Sequence, residues 1–315
     1  MAALRTFCET RGFDPLLLPD LRPAEREANH SWRNPEFFSL VDRLLEPDRA
    51  ELYRAYAFVL RPPTDDRPFF SQFLRWRELP RIATVFGRRL APFFELGSLV
   101  VALTFVVLGV IALTGIVLPL VRLGWRGPGK IRLILYFGGL GVGFMLVEMG
   151  LMLRLQSWLG GAVPAAAVVL TSLLLFSGIG SLLSERWPAD GNLARFIPGV
   201  IAGLIVMTTA IPAPTGNAVF ALSAPTRIAT VVMALLPLGL AMGMAFPLGL
   251  RRIAAARPDH VPWAWAVNGC MSVATPAGVM LLAMSAGYTA VSGCAVAAYT
   301  LAWLAAAARL APARW

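Results

Sequence analysis

The residues best placed to do chemistry in this chain are polar groups set inside apolar runs. Glu148 stands near the middle of YFGGLGVGFMLVEMGLMLRLQ, residues 136–156, and Asn268 closes the aromatic stretch VPWAWAVNG. A carboxylate in hydrocarbon has no water to ionise into, so it needs a partner, a proton or a wet cavity. Two chemistries fit Glu148: it holds a proton or a cation such as an amine, or it clamps one helix to another. Arg154 and Gln156 come later in the same run. Six residues rotate a helix by about 600°, so Glu148 and Arg154 do not share a face. The partner of Glu148 is therefore expected on another helix, with Asn268, Ser177 and Ser181 as candidates. Asn268 reads first as a helix–helix hydrogen bond.

Other chemistries lack their residues. His30 and His260 are isolated, and no His/carboxylate cluster has metal-ligand spacing. Cys8, Cys270 and Cys294 are far apart and form no Cys-x-x-Cys pair. No Gly-x-Ser-x-Gly elbow or Walker loop occurs. Gly138, Gly139, Gly141 and Gly143 sit inside one apolar run rather than between a strand and a helix, so they do not form a nucleotide loop. Gly139 with Gly143, and Gly239 with Gly243, have the four-residue spacing that lets membrane helices touch closely. No metal and no cofactor is expected. In RPPTDDRPFF, Asp65 and Asp66 are expected to cap a turn or to pair with Arg67. Trp263 and Trp265 are expected at a membrane interface, as in an aromatic belt.

These groups must be positioned by a membrane body. The chain has 315 residues, 57% hydrophobic and 15% charged, against about 25% charged in soluble domains. Residues 1–94 hold 15 of the 28 basic and 13 of the 18 acidic residues, so a mixed-charge head precedes an apolar, basic body. The net charge of +10 resides mainly in that body, where it reads as topology signals and lipid head-group contacts, not as a nucleic-acid surface. Apolar spans are expected at 95–121, 133–157, 163–184, 196–212, 227–250, 263–284 and 287–308, each near the roughly 20 residues that cross a bilayer. The fourth is the shortest, and Pro237 and Pro247 should kink the fifth. The fold class is all-α membrane: a polytopic bundle of about seven transmembrane helices after a small N-terminal soluble segment.

Three regions follow, at 1–60, 61–94 and 95–315. The first is a small soluble segment with helical pattern from Pro35, broken near Pro47. The second is an interfacial linker of prolines, aromatics and arginines. The third is the helical transmembrane domain. No cleavable leader is read at the start, and the first span is expected to direct insertion. Loop charges conflict on orientation. Arg122, Arg126, Lys130, Arg132, Arg186, Arg195, Arg251, Arg252, Arg257, Arg309 and Arg314 fall on one side, with Arg154 and Arg227 on the other. That distribution puts the tail in the cytoplasm. Arg75, Arg77, Arg81, Arg88 and Arg89 ahead of the first span argue the reverse, and a miscounted fourth span would remove the conflict.

RPPTDDRPFF, FMLVEMGLMLRLQ, LFSGIGSLL, GMAFPLGLRR and WAWAVNG, in this order, resemble the C-terminal membrane region of bacterial membrane-fused spermidine-synthase-like proteins. The resemblance implies a multi-pass protein of the bacterial inner membrane. It implies that residues 1–60 are the tail of a Rossmann-type aminopropyltransferase-like domain. The cofactor-binding strand and amine-gripping acids of that family have no counterpart here, and Thr275–Gly278 (TPAG) puts a proline where a small residue is expected. The resemblance thus implies a membrane anchor or accessory part that is not catalytic alone. Membrane lipid and a separately encoded Rossmann-type domain would be its partners, and nucleic acid would not. The alternative is a carrier for a polyamine-like cation that uses Glu148.

Overall fold

The computed structural model describes residues 2–13, 15–24, 26, 35–73, 75–78, 80, 81, 84, 96–118, 129–188, 191–210 and 221–307. Arg88, Arg89, Arg122, Arg126, Arg309, Arg314 and His30 lie outside these residues. The chain divides into two compact units: Met1–Arg61 with Leu74–Leu90, and Pro62–Phe73 with Ala91–Trp315. The segment 62–73, read as linker, therefore belongs with the apolar body.

The first unit contains α1 (Ala2–Arg11), α2 (Pro35–Leu45) and α3 (Arg49–Ala55). Pro35 opens α2, where its fixed φ suits the first turn and its missing N–H is not needed. Glu36 in the first turn and Arg43 in the last turn complement the helix dipole. The chain breaks at Glu46–Asp48 around Pro47 and restarts as α3. Phe38 and Leu52 are buried here. The Arg26 guanidinium lies 4.8 Å over the Phe38 ring and donates to both Asp42 oxygens at 2.8 and 2.9 Å. Those bonds hold the Asp42 carboxyl below the ordinary carboxylate range. Arg75 donates to the Arg54 and Tyr53 carbonyls at the end of α3, a cation where the helix leaves acceptors unpaired.

The second unit is a bundle of seven helices long and apolar enough to cross a membrane. They are α4 (Leu96–Ala112, extended by a π turn at Leu113–Val117), α5 (Lys130–Leu159), α6 (Ala162–Ser184) and α7 (Asn192–Ala210), then α8 (Ala224–Ala256), α9 (Val261–Ala286) and α10 (Tyr288–Ala307). The short fourth span does form, so a missing span does not explain the charge conflict. Pro237 and Pro247 both lie inside one continuous 33-residue helix. Among the described residues no β-strand forms.

α5 occupies the centre, packed on α6, α8, α9 and α10, while α6 pairs with α8, α7 with α10 and α8, and α4 with α9. The core runs through Tyr136, Phe137, Leu140, Leu238, Leu248, Trp263, Val291 and Tyr299. α4 instead turns Leu99, Val100, Leu103, Val106 and Val110 outward, the pattern of a helix coated by lipid. Both spaced glycine pairs sit at close crossings. A Cβ at Gly139 would fall 2.7 Å from the Ala298 carbonyl, and one at Gly143 would fall 2.7 Å from the Tyr299 ring, so α10 lies directly on α5. A Cβ at Gly239 would meet Phe176 at 2.7 Å, and one at Gly243 would collide with the Ser177 backbone, so α6 and α8 touch main chain to main chain.

Candidate functional site

Glu148 lies in the middle of α5, the most enclosed helix, and is only 8% exposed. Among the described residues its carboxylate makes no hydrogen bond or ion pair. None of the three expected partners bonds to it among the described residues. Asn268 on α9 donates from Nδ2 to the Phe137 carbonyl at 3.1 Å, eleven residues before Glu148, or about 16 Å along the axis. Gly141 makes that approach feasible, since a Cβ there would fall 2.7 Å from the Asn268 carbonyl. Ser177 donates to the Leu174 carbonyl of its own helix, while Ser181 contributes only its backbone carbonyl, which accepts from the Ser184 hydroxyl. Asn268 thus serves as the helix–helix bond that its sequence position suggested, and it does not reach Glu148. The Tyr136 hydroxyl makes a second such bond, to the Ala245 carbonyl of α8 at 2.8 Å.

A cavity of about 480 Å³ lies among α5, α6, α8 and α9. Its polar side chains are Asn268, Ser177, Ser181, Ser272 and, from α10, Tyr299, and Glu148 is not part of it. Arg154 turns away from Glu148, as the helical rotation requires, and lines a different cavity. Gln156 is half-buried, and its carbonyl accepts the Gly161 N–H at 2.8 Å where α5 ends.

The charged residues ahead of the bundle have a defined task. Residues 64–67 form a tight turn, with the Arg67 N–H donating to the Thr64 carbonyl at 2.8 Å. Asp65 is exposed on this turn. The Asp66 carboxylate accepts from the Thr289 N–H at 2.8 Å and the Thr289 hydroxyl at 2.7 Å, and its carbonyl accepts the Tyr288 N–H at 2.9 Å. Asp66 therefore caps the first turn of α10, an anion at the positive end of a helix. Arg67 donates to the Ser285 carbonyl at 3.2 Å, a cation at the C-terminal end of α9. The two side chains do not pair with each other, as one expectation had it; each instead serves a different helix end. Gly287, between those helices, has φ +92°, and a Cβ there would strike the Asp66 carboxylate. Phe69 packs edge-on against Tyr288 at 5.9 Å.

The two tryptophans part company. Trp265 is exposed and stacks edge-on with Phe246, but Trp263 is buried in the bundle with the Lys130 ammonium 4.7 Å over its ring. An aromatic-belt assignment fits the first and not the second. His260 is also buried, with its Nε2 3.6 Å from Asp259. Among the described residues no group of three or more His, Cys, Asp or Glu side chains is placed to hold a metal.

Sequence reasoning missed two arrangements. Arg227, read only as a loop charge, lines the same cavity as Arg154. The docking of Asp66 on α10 was also unforeseen, although the Gly–Tyr–Thr break between two apolar runs marked a helix start there. A comparison with protein-family models, curated proteins and solved structures finds no match.

Proposed function

We propose that this chain is the membrane-embedded part of a larger assembly, not catalytic by itself, which anchors soluble chemistry to a bilayer. The observation that carries this reading is the clamp at residues 64–67. Asp66 and Arg67 fasten the segment preceding the bundle onto two membrane helices, so a load attached ahead of it is tied directly to α9 and α10. The use of half-buried Asn268 and buried Tyr136 as interhelical bonds supports it, because these polar groups tie the helices to one another. The resemblance to spermidine-synthase-like proteins supplies the natural partner, a separately encoded Rossmann-type aminopropyltransferase-like domain, and a bacterial inner membrane as the setting. The test is mild-detergent purification of the chain from its native membrane, followed by assay with decarboxylated S-adenosylmethionine and a diamine. The assembly should retain a soluble transferase-type partner and turn over, while the isolated chain should not. Turnover by the isolated chain overturns the reading.

A second reading rests on Glu148. A carboxylate 8% exposed, with no partner among the described residues, suits a bound cation. In that case the chain carries an amine, and Glu148→Gln, which keeps the shape and removes the charge, should abolish amine binding with folded yield intact. A fall in folded yield or thermal stability instead would assign Glu148 to structure. Absence of amine binding by the wild-type protein would end the carrier reading.

A further inference from the structure

We propose that the cavity between α5, α7, α8 and α10 binds an anionic amphiphile, a phosphate or phosphate-ester head carrying an alkyl chain, held by Arg154 and Arg227. This inference is independent of the proposed function.

The cavity has a volume of about 360 Å³, within the range of small-molecule sites. Its walls are apolar and include Leu146, Ile205 and Leu238 at one end. Arg154 and Arg227 stand at the other end, beside Trp158. From Leu146 to Trp158 the cavity follows α5 for twelve residues, about 18 Å at 1.5 Å per residue. The hydrocarbon core of a bilayer is about 30 Å thick, so this length is close to one leaflet plus the start of its head-group layer. The α5 C-terminus and the α8 N-terminus meet at the charged end.

Among the described residues no carboxylate offsets the charge at that end: neither arginine has an acidic partner, and no Asp or Glu lines the cavity. Arg227 donates one guanidinium N–H to the Trp158 carbonyl at 2.9 Å, which fixes its head in place. Its Nε is buried and has no hydrogen-bond partner. A buried donor without an acceptor is costly and calls for one. The hydroxyls of Thr208, Thr209, Thr230 and Ser292 line the cavity but donate to carbonyls of their own helices. Recognition of the anion thus falls to the guanidinium groups, whose planar fork matches phosphate. An apolar trough ending in two such groups accepts a chain and a head together. A bare anion would leave the trough unfilled, and a zwitterionic head would bring a cation against two cations.

The test is thermal unfolding of the full chain in an uncharged maltoside detergent, with phosphatidylglycerol, phosphatidylcholine, dodecyl phosphate or inorganic phosphate added. At about hundredfold excess over the dissociation constant, an occupying ligand should raise the wild-type midpoint by about 5 °C. We expect that rise with phosphatidylglycerol or dodecyl phosphate, and none with phosphatidylcholine or inorganic phosphate. A response to phosphatidylglycerol alone makes the ligand a bilayer lipid. A response to dodecyl phosphate alone makes it a single-chain amphiphile. Arg154 makes no hydrogen bond or ion pair among the described residues, so Arg154→Gln should fold with the wild-type midpoint and lose most of the rise. Arg154→Gln with Arg227→Gln should lose all of it. An equal rise with phosphatidylcholine, an equal rise with inorganic phosphate, no rise with either anionic amphiphile, or a full rise retained in both variants overturns the proposal.

Discussion

Replacing Asp66 tests whether the turn at residues 64–67 is a clamp. The carboxylate accepts two hydrogen bonds from Thr289, at 2.8 and 2.7 Å, at the first turn of α10. Removing an N-cap acceptor costs about 1 kcal/mol. Loss of the negative charge at the helix N-terminus adds about 0.5 kcal/mol, near the lower end of its range because Asp66 is exposed. Asp66→Ala should therefore weaken docking by about 1.5 kcal/mol, while Asp66→Asn, which keeps an acceptor oxygen, should weaken it by about 0.5 kcal/mol. The reporter is the Tyr288 amide. It donates to the Asp66 backbone carbonyl at 2.9 Å, a bond that neither substitution touches, so its exchange requires the turn to leave the helix. Exchange follows the open population, and each 1.4 kcal/mol is about tenfold. Tyr288 should exchange about tenfold faster in Asp66→Ala and about twofold faster in Asp66→Asn, with the amides in the middle of α5 unchanged. An unchanged Tyr288 rate in Asp66→Ala would refute the clamp, and equal rates in the two variants would refute the charge contribution.

Two further outcomes are expected. Gly243→Ala should lower the unfolding midpoint, by an overpacking cost of about 1–3 kcal/mol, because the new methyl meets the Ser177 main chain. Gly178→Ala, with nothing within 4 Å of its Cβ, should instead gain up to about 1 kcal/mol, and a shared sign in thermal unfolding would contradict the backbone contact. In the first unit, Asp42 titrates below its ordinary value because Arg26 donates to it. Its contribution is complete above the ordinary carboxylate value of about 4 and is lost as pH falls through the depressed folded value. Exchange protection of the α2 amides should therefore drop between about pH 5 and pH 2 in the wild type, and Asp42→Asn should abolish that extra drop. Identical pH profiles would show that the pair contributes nothing.

The seven spans were legible in the sequence because the signal is local. A helix that satisfies its own backbone bonds and shows apolar side chains around its circumference is fixed by some 20 consecutive residues, whatever lies beside it. Even the weak fourth span appears, as α7. The glycine pairs were legible as close-approach sites for a similar reason. Four-residue spacing puts both on one face, although nothing local says that Gly139 and Gly143 meet α10 while Gly239 and Gly243 meet α6. The break at Pro47 and the start at Pro35 follow from proline's fixed φ and missing N–H.

What the tertiary structure decided is which groups face one another. Asn268 was one of three candidate partners for Glu148, but the axial offset between α5 and α9 places its amide at Phe137, three turns away. Trp263 and Trp265 are two residues apart, so the helix turns them to different faces and only the packing of α5 against α9 determines which is buried. Asp66 and Arg67 are adjacent in the chain, and local reasoning paired them. The fold instead brings them to the α9–α10 junction, more than 200 residues away, where two opposite helix ends offer better partners than they offer each other. Arg154 and Arg227 share a cavity for the same reason. The sequence by itself determined the seven spanning helices and their contact-capable glycines, both consequences of short-range periodicity. Pairings between helices depend on register and rotation, which no single segment encodes, and those came only with the folded bundle.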